Sequence, residues 1–412
     1  MTDYQNDLAR IEGDIQSVLV AHAIAPAALS PEAGNISRLY FRRFQLASLT
    51  GDLPSLTPLD AALDEAIATS SQPADLWLLK AHVALRRHRF SEAETALHAD
   101  ASFATNPHAR LLRSDIEFQH GHYTTARSTI ESVIAEESTW DALARLAYLT
   151  DIMGDLTTAD NLYAQAEDEL TAKQMQSYAW LELQRGALHF HRGDHTSARR
   201  HYNRADASYS GYWLTTERIA ELDGAQGHFA ESITAYQRLH DFAQRPEWTH
   251  ALADLHALSG DLLSASLWQQ LAYAQYRDSI ASGEVHYLHY LVDLCCELAG
   301  HAQEAIDYAR QDLALRQNYM TQADLAWALY RNGNLSEAAT LIETALASNA
   351  VSSRLYFQAA CIYSATGHTE HSNRYTLLLK QTNPLPARAR VAATEIRILP
   401  GIHFWYPSPA AS

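Results

Sequence analysis

Cysteine is almost absent. There are three, of which Cys295 and Cys296 are adjacent and Cys361 stands apart. An odd number without framework spacing excludes a disulfide scaffold and suits reduced thiols in a cytoplasm. Glycine (16) and proline (12) are scarce for 412 residues. With abundant alanine, leucine, glutamine and glutamate, that scarcity favours an all-helical protein. Basic residues are outnumbered, 31 Lys+Arg against 48 Asp+Glu, for a formal net charge of -17. No dense Lys/Arg cluster offsets that balance, so nucleic acid and anionic membrane surfaces are not expected partners. No apolar run approaches the ~18 residues of a membrane span. The start, MTDYQNDLARIEGDIQSV, is polar and acidic, so no signal peptide is expected. GxSxG, HExxH, GxxxxGK[ST] and paired CxxC motifs are all missing. No catalytic residue and no cofactor is therefore expected.

What is present is a repeat. Glycine, a polar residue, and then a small residue five places after the glycine recur as GHYTTA (121–126), GDLTTA (154–159), GDHTSA (193–198), GHFAES (227–232) and GDLLSA (260–265). They continue as GHAQEA (300–305), GNLSEA (333–338) and GHTEHS (367–372). HRFSEA (88–93) carries His88 in the glycine place, and GDLPSL (51–56) is a weaker first copy. Successive steps are 37, 33, 33, 39, 34, 33, 40, 33 and 34 residues. Each unit reads as two amphipathic helices. The glycine takes a left-handed conformation at the end of the first helix, and polar residues after it start the second. Small residues seven places before the turn (Ala81, Ser114, Ala147, Gly186, Ala220, Ala253, Ala326, Ala360) and five places after it allow close approach. The two long steps predict extended second helices or loops near 168–178 and 272–285.

Small, glycine, alanine, aromatic and alanine at these offsets, as in Gly186, Gly193, Ala198, Tyr202 and Ala205, resemble the tetratricopeptide repeat. The resemblance covers roughly 37–385, ten units, with Pro384 where the family closes a repeat. It implies an all-α, right-handed superhelical solenoid whose first helices line a concave groove. Residues 1–36 are expected to cap the start with a helix over 3–22 and a loop containing Pro26 and Pro31. Residues 386–412 are expected to supply a last helix (386–398) and the aromatic, proline-rich tail PGIHFWYPSPAAS. The second half, with GEVHYLH (283–289) and LAWALYRNG (325–333), also resembles a group of bacterial repeat proteins.

Carried over residue by residue, the family's groove positions fall on Asp115, Tyr148, Glu217, Glu221, His250, Asp254, Tyr287, Tyr290, Trp327 and Tyr330. Acidic in the middle and aromatic toward the C-terminal end, such a groove suits a protein or peptide segment with Lys/Arg next to apolar anchors. The lysines and arginines of the family's carboxylate clamp are not matched as a set.

The expected function is thus a non-catalytic, cytoplasmic scaffold. The competing reading is a metal-binding protein or enzyme centred on EVHYLHYLVDLCCELAG (284–300). There His286, His289 and Asp293 share one helix face, and the plainer expectation is a hydrogen-bonded His289–Asp293 pair in the core. HFHRGDH (189–195) and HTEH (368–371) read as solvated turn histidines, with opportunistic metal binding as the alternative.

Overall fold

The computed structural model describes residues 1–24, 35–71 and 73–384. The Pro26/Pro31 loop, the helix expected over 386–398 and the aromatic tail lie outside the described residues. Those described form helices, and no strand occurs among them.

The helices follow one another as α1 (Asp3–Ile24), α2 (Asn35–Thr50), α3 (Leu56–Thr69), α4 (Ala74–Arg86), α5 (Phe90–His98), α6 (Pro107–Gln119) and α7 (Tyr123–Glu136). Next come α8 (Trp140–Ile152), α9 (Leu156–Asp168), α10 (Met175–His191), α11 (His195–Ser208), α12 (Trp213–Ala225), α13 (Phe229–Phe242), α14 (Pro246–Ser259) and α15 (Leu262–Ala281). The last are α16 (Leu288–Glu297), α17 (Ala302–Leu315), α18 (Tyr319–Arg331), α19 (Leu335–Ala347), α20 (Ser353–Ala365) and α21 (Thr369–Thr382). From α2 onward they pair as hairpins, α2 with α3 through α20 with α21, and each hairpin contains one of the repeat turns.

The turn chemistry explains the pairing. Every repeat glycine sits at positive φ, as at Gly154 (92°) and Gly333 (84°). His88, in the glycine place of its copy, is held at 56° despite its Cβ. Aspartates after the glycine cap the second helices: Asp155, Asp194 and Asp261 accept from the backbone N–H of Thr158, Ser197 and Ser264 at 3.0, 3.0 and 3.1 Å. The small residues on both helices are buried, among them Ala147, Ala159, Ala198, Ala220 and Ala326. Where serine replaces alanine on a second helix, its hydroxyl donates to the facing helix, Ser232 to the Ala220 carbonyl at 2.6 Å and Ser372 to the Ala360 carbonyl at 2.9 Å. The first long step is a turn-rich link followed by a lengthened α10. The second is a 20-residue α15, then a short 3-10 turn over Val285–Tyr287 that leaves α16 at 10 residues.

The chain forms two compact units, residues 1–138 and the hairpins from Thr139 onward. In the first, α1 packs on α2 and Arg42 reaches Asp14 at 2.9 Å. Buried Asp60 of α3 binds Lys80 and Arg87 at 2.9 and 2.7 Å. The second unit meets itself. The Val351 N–H donates to the Ile152 carbonyl at 2.8 Å, and Asn383 Nδ2 donates to the His191 carbonyl at 3.1 Å. Its first two hairpins are thereby bonded to its last two.

Candidate functional site

Within the second unit the first helices of consecutive hairpins lie side by side, α10 with α12, α16 with α18 and α18 with α20. Side chains of their facing positions join them. Between α12 and α14, Trp248 Nε1 donates to Glu217 at 3.0 Å, and the Arg245 guanidinium lies 4.0 and 4.3 Å from the Trp213 and Trp248 rings. Arg218 donates to Glu221 at 2.8 Å. His250, Asp254 and Glu297, from α14 and α16, each bring a ligand-type atom within 4.8 Å of the others. The Tyr276 and Tyr290 rings stack at 5.7 Å, with Tyr287 against both. Arg354 of α20 reaches back across two hairpins, donating to Asp324 of α18 and to Asp293 of α16 at 2.7 Å each.

Burial divides these residues into two sets. Glu217, Glu221, His250, Asp254, Tyr287 and Tyr290 are all below a tenth exposed. Trp327 and Tyr330 are half-buried, stack on each other at 4.9 Å, and have Phe357 at 5.7 Å from the Trp327 ring. Tyr148 is half-buried on α8. Asp115 is buried on α6, which belongs to the first unit. The expectation that the acids stand open to a partner's cations therefore needs correction. Glu217 and Glu221 face Trp248 and Arg218 of their own chain. Burial shifts the Glu221 carboxyl up to about 7 despite Arg218, and raises Glu217 as well. The Asp324 carboxyl is raised by burial to about 6, Arg354 notwithstanding.

The stretch 284–300 also departs from expectation. Asp293 binds Arg354, 61 residues away, rather than His289. Arg316 donates to His289 Nδ1 at 3.2 Å, and buried His286 lies 3.5 Å from Glu284. His286, His289 and Asp293 thus have three different partners. The metal-type groups among the described residues are Asp160–His189–His201, Cys295–His301–Glu304 and His250–Asp254–Glu297. In the second, burial pushes the Cys295 thiol up to about 12. The HTEH histidines are exposed, as expected of a turn. His189, His191 and His195 are half-buried, which corrects the solvated reading of HFHRGDH.

Sequence reasoning missed the exposed apolar stripe of α15, where Leu262, Leu263, Leu267 and Leu271 are 71, 75, 61 and 42% exposed. Read as a helix pattern, those leucines pass for core.

No protein-family model and no curated protein matches the sequence. Solved structures similar to the chain include the crystal structure of the yeast Tom70, 13% identical with a TM-score of 0.44 over 95% of this chain and 92% of that one. Another is the structure of Naa15/Naa10 bound to HypK-THB, 12% identical with a TM-score of 0.29 over 90% of this chain and 68% of that one. At these scores neither carries an argument about this chain.

Proposed function

We propose that the chain is a non-catalytic scaffold that holds a protein or peptide segment against the first helices of its second unit. The observation that carries this is the half-buried aromatic cluster of Trp327, Tyr330 and Phe357, beside the Asp293–Arg354–Asp324 network. Rings of this kind supply contact area at small entropic cost and attract Lys or Arg of a partner. Tyr148, Trp327 and Tyr330 make the direct contacts. Glu217, Glu221, His250, Asp254, Tyr287 and Tyr290 are buried and serve to fix the helices that carry them, and Asp115 is left to the first unit. The buried Cys295 and Cys296 thiols suit a reducing compartment, the cytoplasm.

The test compares proteins captured from the source organism's extract by the intact chain and by a Trp327→Ala/Tyr330→Ala/Phe357→Ala variant of unchanged helix content. A capture lost in the variant supports the reading. The same proteins captured with the same salt dependence would remove it. A metal-binding reading is favoured by one observation, the grouping of Asp160, His189 and His201.

A further inference from the structure

The turn histidines of HFHRGDH do not face water as a set. His189, in the last turn of α10, lies over His201 of α11, with ring centroids 5.4 Å apart and planes within 8° of parallel. Asp160 of α9, in the preceding hairpin, completes a group whose three ligand-type atoms lie within 4.8 Å of one another. His201 is buried, its side chain 1% exposed.

A carboxylate binds the other nitrogen of the His201 ring, and another lies near that of His189. His201 Nδ1 lies 2.7 Å from Glu182 Oε2, and His189 Nδ1 lies 3.4 Å from Asp194 Oδ2. A proton on His201 Nδ1, donated to Glu182, leaves the lone pair of that ring on Nε2, and the Asp194 carboxylate near His189 Nδ1 favours the same tautomer there. Both Nε2 atoms are shielded from solvent and have no hydrogen-bond partner. Two buried acceptors without donors are costly. An imidazole whose Nδ1–H is fixed by a carboxylate and whose Nε2 is free is also what a metal-binding histidine presents.

The third ligand stays charged. Burial raises the Asp160 carboxyl, but hydrogen bonds and charge from Arg185 outweigh it and hold the group below its ordinary range. Arg185 contacts both oxygens, at 2.8 and 3.2 Å, so a metal would share the carboxylate with it.

We propose that Asp160, His189 and His201 bind one divalent ion of the zinc class, with water as a further ligand. Two imidazoles and one carboxylate with a position left open suit Zn2+. Bonds of about 2.0–2.1 Å in a tetrahedral shell put ligand atoms roughly 3.4 Å apart, so binding draws the two rings together by rotation of their side chains. The ion would pin α9, of one hairpin, to α10 and α11 of the next, across the longer step that separates their turns. The role is structural, and it is independent of the aromatic cluster.

The experiment uses the full chain without a histidine tag, stripped with chelator and dialysed. Zinc is titrated against a chromophoric chelator, Co2+ replaces it for visible spectroscopy, and melting is followed with and without Zn2+. One equivalent of zinc per chain, tetrahedral Co2+ bands and a raised Tm are expected. His189→Ala and Asp160→Asn should weaken zinc by more than the roughly 10–100-fold that loss of an outer partner costs, and His250→Ala should leave it unchanged. An unmodified chain that takes up no stoichiometric zinc overturns the proposal whatever the variants do. So does zinc retained by His189→Ala and lost by His250→Ala.

Discussion

Glu221 stands for the buried acids at the level of single residues. Its carboxyl is moved from an ordinary 4.5 up to about 7, chiefly by burial, with Arg218 pulling down and Glu217 pushing up. Folded chains therefore hold a proton that unfolded chains have already released. The associated stability is fully present below about pH 4.5 and is lost as pH rises through about 7. Glu221→Gln cannot titrate, so the variant should gain on the parent steadily between pH 5 and pH 8. Urea midpoints at those two pH values measure the gain, and parallel pH profiles would contradict it. The repeat count assigned Glu217 and Glu221 to groove positions, and the structure shows both buried. That count gave no sign that Trp248 and Arg218 would enclose them, since pairing between side chains on neighbouring helices has no local period. The same holds for His189: its distance from the turn glycine is legible, and the approach of His201 from the next helix is not.

At the level of elements, each hairpin depends on how closely its two helices approach. Gly186 is the sharpest case. A Cβ there would sit 2.1 Å from Cε1 of Tyr202, whose ring is fully buried and cannot retreat. Alanine ordinarily improves a helix interior by about 1 kcal/mol over glycine. Overpacking of about 1–3 kcal/mol reverses the sign at this site. Gly186→Ala should lower stability to urea, and Gly13→Ala in α1, where nothing lies within 4 Å, should raise it. Equal effects at the two positions would show that the α10–α11 approach is slack. This contact was legible: a small residue seven places before the turn recurs through the repeat, and here glycine takes it with Tyr202 on the partner helix. The shortened α16 was not legible, because Val285–Tyr287 continues a helical pattern and leaves it only in the presence of the long α15.

Considered whole, the second unit bonds its beginning to its end, a contact invisible to any search for periodicity because it spans nearly two hundred residues. Gly154 measures it. Gly154 and Gly333 both sit at positive φ, and alanine at either costs about 1–2 kcal/mol of left-handed strain. Only at Gly154 would the new Cβ also strike a neighbour, Val351 Cγ2 at 2.7 Å. Gly154→Ala should therefore destabilise the protein more than Gly333→Ala, and Val351→Ala should recover most of the excess in a double-mutant cycle. Identical losses at the two glycines would mean the contact has no energetic weight.

A row of stacked repeats ordinarily melts from its tips, each outermost hairpin lacking one neighbour. Clasping Ile152 to Val351 and His191 to Asn383 gives both tips of this row a companion, so neither is a natural starting point for unravelling. Undoing the row at either tip means opening the clasp as well, and its two ends share one fate.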